Sequence, residues 1–136
     1  MFECRGCGSE IPRRGSLVRF YCSNRCQRES ERRDNVARWL ATGEGSVCSR
    51  PDHYIRLHIA AEQERRCAIC NLPDLWQGLE LRFVLDHIDG DSTNNRRDNL
   101  RLVCPNCDSQ LPTYKNRNHG KGRHARRVRY ANGKSY

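Results

Sequence analysis

The sequence predicts an α+β protein assembled from small zinc-stabilised units rather than around one large apolar core. Three observations carry that expectation. Eight of the nine cysteines fall into four short-spaced pairs, Cys4/Cys7, Cys22/Cys26, Cys67/Cys70 and Cys104/Cys107. An apolar stretch, Val84-Leu85, runs straight into Asp86-His87, and a second, Leu100-Arg101-Leu102-Val103, runs into the last cysteine pair. Only 36% of the 136 residues are hydrophobic while 30% are charged, so the core is small and needs support from metal, disulfides or a partner.

The nine cysteines are an odd number, and Met1-Phe2 leads directly into Glu3-Cys4-Arg5 without a signal-peptide pattern. Both points argue against a secreted disulfide scaffold and favour zinc in a reducing compartment. No apolar run approaches the roughly 20 residues that cross a bilayer, so a soluble, intracellular protein without membrane contact is expected. The net charge of +9 attracts polyanions, above all nucleic acid, with salt-dependent binding.

Residues 1–43 read as a four-cysteine zinc knuckle followed by a helix. Gly6 and Gly8 suit a tight turn whose amides face the sulfurs, and residues 17–21 have strand composition that would return the second pair to the first. The spacing leaves open whether this module only braces the fold or also meets nucleic acid. Ser23 is a helix N-cap, the helix runs from Asn24 to Thr42, and Gly43 stops it. Val36, Trp39 and Leu40 recur at helical spacing and should form its buried stripe.

Gly43-Glu44-Gly45-Ser46 is the best domain boundary in the chain. Residues 44–66 then form a linker and a helix, with Ser49 as cap, Pro51 in the first turn, Asp52 three residues after the cap and an end near Arg65. Tyr54, Leu57, His58 and Ala61 share one face, with Ile55 and Ile59 beside them. His53 and His58 are expected on the helix surface or in packing, and Cys48 as a free, partly buried thiol.

Residues 67–118 form the second module. Residues 71–78 read as a loop anchored by Trp76, residues 79–85 as a strand ending at Asp86-His87, and residues 89–98 as a polar loop. Asn99 opens a second strand to Val103, and a short helix follows Cys104-Pro105-Asn106-Cys107-Asp108 until Pro112 ends it. Asp89 and Asp91 suit turn-shaping hydrogen bonds. Residues 119–136 are a basic tail, and the whole stretch 115–136 has no acidic residue. Arg96, Arg97, Lys115 and Arg117 near the loop, and Lys121, Arg123, Arg126 and Arg127 in the tail, are the candidate phosphate contacts. Nucleic acid is the expected partner; the oligomeric state cannot be read from the sequence.

Two C-x-x-C pairs form a closed tetrahedral site without an open position, so the zinc held by Cys67, Cys70, Cys104 and Cys107 would be structural. It would tie the loop before the first strand to the start of the last helix and hold Asp86, His87 and Asp108 near one another.

The ordered set Cys67-Ala68-Ile69-Cys70, Leu85-Asp86-His87-Ile88-Asp89-Gly90-Asp91, Asp98-Asn99-Leu100-Arg101-Leu102-Val103 and Cys104-Pro105-Asn106-Cys107-Asp108 resembles the HNH nuclease family, over residues 67–118. The resemblance implies a ββα-metal, treble-clef-like domain and an endonuclease that hydrolyses DNA phosphodiesters, leaving 5′-phosphate and 3′-hydroxyl ends. It assigns His87 as general base, Asp86 as metal ligand, Asn99 as the brace of the loop and Asp108 as second metal ligand. Asp108 stands where the family often has His or Asn. Paired carboxylates suit Mg²⁺ or Mn²⁺. The N-terminal knuckle and basic tail are similar to those of small HNH proteins of bacteria and their phages, which implies the cytoplasm of a bacterial host. The competing reading is a two-zinc DNA-binding protein without catalysis, and a third is a zinc-bearing RNA-binding protein.

Overall fold

The computed structural model describes residues 1–114 and 131–133. Lys115, Arg117, Lys121, Arg123, Arg126 and Arg127 therefore lie outside the described residues. Among those described, no helix is long and apolar enough to cross a membrane.

The N-terminal module opens with β1 (Phe2–Glu3) antiparallel to β2 (Glu10–Ile11), a short hairpin that brackets the first cysteine pair. The strand expected over residues 17–21 does not form. Arg5 N–H donates to the Phe20 carbonyl at 2.8 Å, but β1 and β2 are two residues long and offer no ladder to extend. Leu17 and Val18 are exposed as a result.

Helix α1 (Asn24–Thr42) has the expected limits. The Ser23 hydroxyl accepts from Cys26 N–H at 3.1 Å, and Gly43 closes the helix at φ 72°, where a left-handed backbone suits glycine. Its buried stripe is narrower than expected: Trp39 is fully buried, whereas Leu40 is half exposed. Trp39 packs with Ile55, Ile59, Phe83, Leu100, Leu102 and Val103, alongside Cys67 and Cys104. A helix rooted at the first cysteine cluster thus ends inside the core that surrounds the second.

Helix α2 (Tyr54–Glu62) starts later than Ser49 would allow, and His53 caps it by accepting Ile55 N–H on Nδ1 at 3.3 Å. The reason is local. Arg50 grips the Asp52 carboxylate at 2.9 and 3.1 Å, and His53 N–H donates to Arg50 O, so residues 50–53 close as a separate turn. Cys48 is exposed rather than partly buried.

The expected loop over residues 71–78 holds a small hairpin, β3 (Leu75–Trp76) with β4 (Leu79–Glu80), turned at Gln77 (φ 51°) and Gly78 (φ 78°). Trp76 is half exposed and anchors nothing in the core. The strand expected over residues 79–85 is interrupted where Phe83 turns into the core. Then β5 (Val84–His87) pairs antiparallel with β6 (Leu100–Val103), in the register Val84↔Val103, Asp86↔Arg101 and His87↔Leu100. Helix α3 (Pro105–Ser109) follows β6 directly and packs against β5. Strand, loop, strand and helix stand in the expected order.

Candidate functional site

Two groups of four sulfurs are assembled, Cys4/Cys7/Cys22/Cys26 and Cys67/Cys70/Cys104/Cys107, each with all sulfurs within 4.8 Å of one another. The sulfurs of Cys4 and Cys26 are 3.4 Å apart, those of Cys7 and Cys22 3.8 Å, and those of Cys70 and Cys104 3.7 Å. A tetrahedral zinc with bonds of about 2.3 Å requires sulfur–sulfur edges of about 3.8 Å, so both donor sets fit that ion.

The two clusters share a plan. Cys22 N–H donates to Cys4 Sγ, and Cys104 N–H donates to Cys67 Sγ, each at 3.2 Å. Burial works to raise the Cys4 thiol, but the amides of Cys7, Cys22 and Gly6 outweigh it and bring its pKa to about 6. Cys67 is likewise buried, and the amides of Cys104, Cys70 and Ile69 bring it to about 6. Crowding by Cys4 pushes the Cys26 thiol up, and burial followed by Cys104 pushes up Cys107. One preformed thiolate beside reluctant neighbours is an arrangement that a dication completes. Gly6 leaves room for this, since a Cβ there would lie 2.3 Å from Cys26 Sγ.

Asp86 and His87 are the last two residues of β5. Strand alternation turns them to opposite faces, Asp86 buried and His87 partly open. His87 Nε2 is 2.8 Å from Asn95 Oδ1. Asn95 Nδ2 donates to Gly45 O at 2.7 Å, and Trp39 Nε1 donates to Asn95 O at 2.6 Å. Asn95 therefore joins α1, the 43–46 linker and the imidazole. It was missed as a site residue because nothing in the composition of a polar loop marks which asparagine reaches across 50 residues of chain.

Asn99 is buried and serves the loop after β5. Its Nδ2 donates to Asp89 Oδ1 at 2.9 Å and to Asn94 O at 2.8 Å, while its Oδ1 accepts Asp89 N–H at 3.0 Å. Asp89 and Asp91 cap their own turn, accepting the amides of Asp91 and Thr93. Ile88 N–H donates to Asn99 O, so the hold on His87 passes through its neighbour in the chain.

The Asp86 carboxylate accepts Arg101 Nε on Oδ2 at 2.8 Å. On α3, burial and then the charge of Asp86 raise the Asp108 carboxyl above its ordinary value. Two carboxylates thus sense each other with one arginine between them in the charge balance. Arg97 donates to Glu62 at 3.1 Å and to Leu100 O at 2.8 Å, and Arg96 lies against Gly43 and pairs with Asp98 at 3.7 Å.

An antiparallel strand pair joined by a braced polar loop, followed by a helix and pinned by a four-sulfur cluster, defines a small ββα unit with an Asp-His pair at its strand end. Residues 78–106 match the family described as HNH endonuclease. Over this segment the chain is similar to the HNH endonuclease family. It is also similar to the H-N-H endonuclease F-TflIV of Escherichia phage T5, 39% identical over 56 residues. That match covers 41% of this chain and 24% of the phage protein, so the chain aligns with about a quarter of that relative's length. No solved structure matches the chain at a significant level.

Proposed function

We propose that the protein is a metal-dependent endonuclease that hydrolyses phosphodiester bonds of double-stranded DNA, by nicking or by cutting both strands. The observation that carries this is the His87 imidazole, fixed by Asn95 at the end of a strand whose neighbouring residue, Asp86, is close enough to Asp108 for the two carboxylates to repel. An imidazole held in one tautomer is a requirement of proton transfer, and a protein that only binds DNA has no need of it.

The orientation of the Asn95 amide decides which nitrogen does the work. Because Nδ2 faces a carbonyl, Oδ1 must face His87, and Nε2 must carry the proton. Nδ1 then holds the lone pair that takes a proton from water as its oxygen attacks phosphorus and the bond to the 3′ oxygen breaks. Asn99 keeps the 89–95 loop, and so Asn95, in place for that transfer. Asp86 and Asp108 are two hard oxygen donors in a site of excess negative charge, which suits Mg²⁺ or Mn²⁺ with the remaining positions left to water and phosphate. When bound, such an ion stabilises the charge that develops on the phosphate.

In this reading each sulfur cluster holds a structural zinc. Residues 67–118 are the nuclease unit, 1–43 and 44–66 brace it, and 119–136 draw in the polyanion. Likeness to a phage endonuclease supports the cytoplasm of a bacterial host as the setting. A plasmid-nicking assay with Mg²⁺ or Mn²⁺ tests the reading. Cleavage should vanish in His87→Ala while DNA binding persists; binding without cleavage under any divalent ion would leave a two-zinc DNA-binding protein.

A further inference from the structure

A groove of about 640 Å³ runs beside β5, lined by Cys48, Arg56, Arg82, Phe83, Val84 and His87 among others. Arg56 is unusual within it. The residue is only 8% exposed, yet among the described residues its guanidinium makes one hydrogen bond, from NH2 to the Phe83 carbonyl at 2.6 Å. The other buried or half-buried arginines have carboxylate partners, Arg97 with Glu62 and Arg101 with Asp86. No carboxylate of the described residues pairs with Arg56 or Arg82, and residues 115–136 contain no acidic side chain to supply one.

A guanidinium has five N–H donors, and a buried cation without a counter-charge is costly. Burial, and then the charge of Arg82, depress Arg56 below the ordinary arginine value. Two cations therefore share one groove, one of them already desolvated, with no carboxylate among the described residues to balance them and only a smaller offset from Cys48. An anion entering from solvent would relieve both penalties, and phosphate oxygens match the planar donor fork of arginine. His87 lines the same groove.

We propose that Arg56 and Arg82 form a phosphodiester seat beside His87, receiving a backbone phosphate of the bound DNA. That the anion is DNA rests on the nuclease reading above; that the groove takes an anion does not. The seat is preformed by α2 and the approach to β5, so it fixes where the strand lies relative to the imidazole.

The test is binding of the full-length, zinc-loaded chain to a short fluorescein-labelled DNA duplex, followed by anisotropy across a salt series without Mg²⁺. Losing one phosphate contact should reduce the slope of log K against log salt by about 0.9, for Arg82→Gln and for Arg56→Gln, and the double variant by about twice that. Arg25→Gln, the same charge change on exposed α1, should keep the wild-type slope. Arg82 is exposed, so Arg82→Gln decides the matter even where Arg56→Gln fails to fold. A wild-type slope in Arg82→Gln, or an equal loss in Arg25→Gln, overturns the seat. Plasmid nicking separates the two readings. A protein that never cuts but loses slope in Arg82→Gln keeps the seat and loses the nuclease. One that cuts, with Arg82→Gln unchanged in slope and rate, keeps the nuclease and loses the seat.

Discussion

His87 Nε2 and Asn95 Oδ1 are 2.8 Å apart, and the same amide donates its nitrogen to Gly45 O. Turning the amide over would set its oxygen against a carbonyl oxygen and its N–H against His87, so the orientation is enforced from the linker side. Asn95→Ala removes the acceptor and lets the neutral imidazole populate both tautomers. Cleavage should fall by about 100-fold, in kcat rather than KM. The ¹⁵N shifts of the His87 ring, recorded on the zinc-loaded protein without Mg²⁺, should move from a single tautomer to a mixture. A pure Nε2–H signal in the variant would show that something other than Asn95 sets the proton.

Asn95 is in turn held by Trp39, whose Nε1 donates to its carbonyl at 2.6 Å. Trp39 is also fully buried. Trp39→Ala should therefore cost about 3–5 kcal/mol of stability by urea denaturation. Trp39→Phe retains most of the packing but leaves the Asn95 carbonyl without its donor, for about 1–3 kcal/mol. The diagnostic result is in the second variant: cleavage should drop more than its loss of stability explains, because the loop that steadies His87 is loosened. Unaltered cleavage in a folded Trp39→Phe protein would detach α1 from the site.

What was legible in the sequence follows the range of the forces. Ser23 and Gly43 mark the ends of α1 because capping is decided within four residues. The cysteine pairs announce themselves because metal ligation demands fixed spacings, and Asp86-His87 stands out as two polar residues at the end of an apolar run. Residues 17–21 have strand composition but no ladder to join, and Ser49 lost the start of α2 to the competing grip of Arg50 on Asp52. Neither outcome is written in propensity. Asn95, Arg56 and the docking of Trp39 depend on partners 27 to 56 residues away, so they become visible only once the chain is folded.

The two sulfur clusters predict a metal count of about two zinc per chain. Cys48 belongs to neither cluster and is exposed, so Cys48→Ser should keep both ions. Cys104→Ser should lose one, and with it the joint between β6 and α3. Gly6→Ala should also lose one, since the new methyl would lie 2.3 Å from the Cys26 sulfur and displace it. Elemental analysis after gel filtration reads all three. A Cys104→Ser protein that still carries two zinc ions would mean that the second cluster has been misassigned.

Glu62 supplies a pH dependence outside the site. Its hydrogen bond from Arg97, working against burial and helped by the charges of Arg97 and His58, holds its carboxyl below the ordinary glutamate value. A depressed carboxyl stabilises the fold fully above the unfolded pKa of about 4.3 and loses that contribution as the pH falls through the lower folded value. Glu62 is 45% exposed in its side chain, so solvent screening keeps the contribution below about 1 kcal/mol. Arg97→Gln should lower the melting temperature slightly at neutral pH, and the gap from wild type should close in acid. A gap that widens in acid would reverse the sign of the pair.

Asp108 has the opposite sign. Burial and the charge of Asp86 raise its carboxyl, so the folded chain resists its ionisation more than the unfolded chain does. The penalty is absent below the ordinary aspartate value, grows between that value and the raised one, and is complete above it. At neutral pH, without divalent ions, Asp108→Asn should therefore melt at a higher temperature than the wild type. Mn²⁺ should erase the difference by stabilising the wild type, whose two carboxylates it relieves, and should do little for the variant. A carboxylate kept only for its place in the first turn of α3 gives the reverse: Asp108→Asn would be no more stable without metal, and Mn²⁺ would shift both proteins alike. Arg101 sharpens the contrast. It already occupies Asp86 Oδ2, so the charge left unbalanced in the pair is about that of Asp108. The ion's stabilising effect should thus follow residue 108 more closely than residue 86.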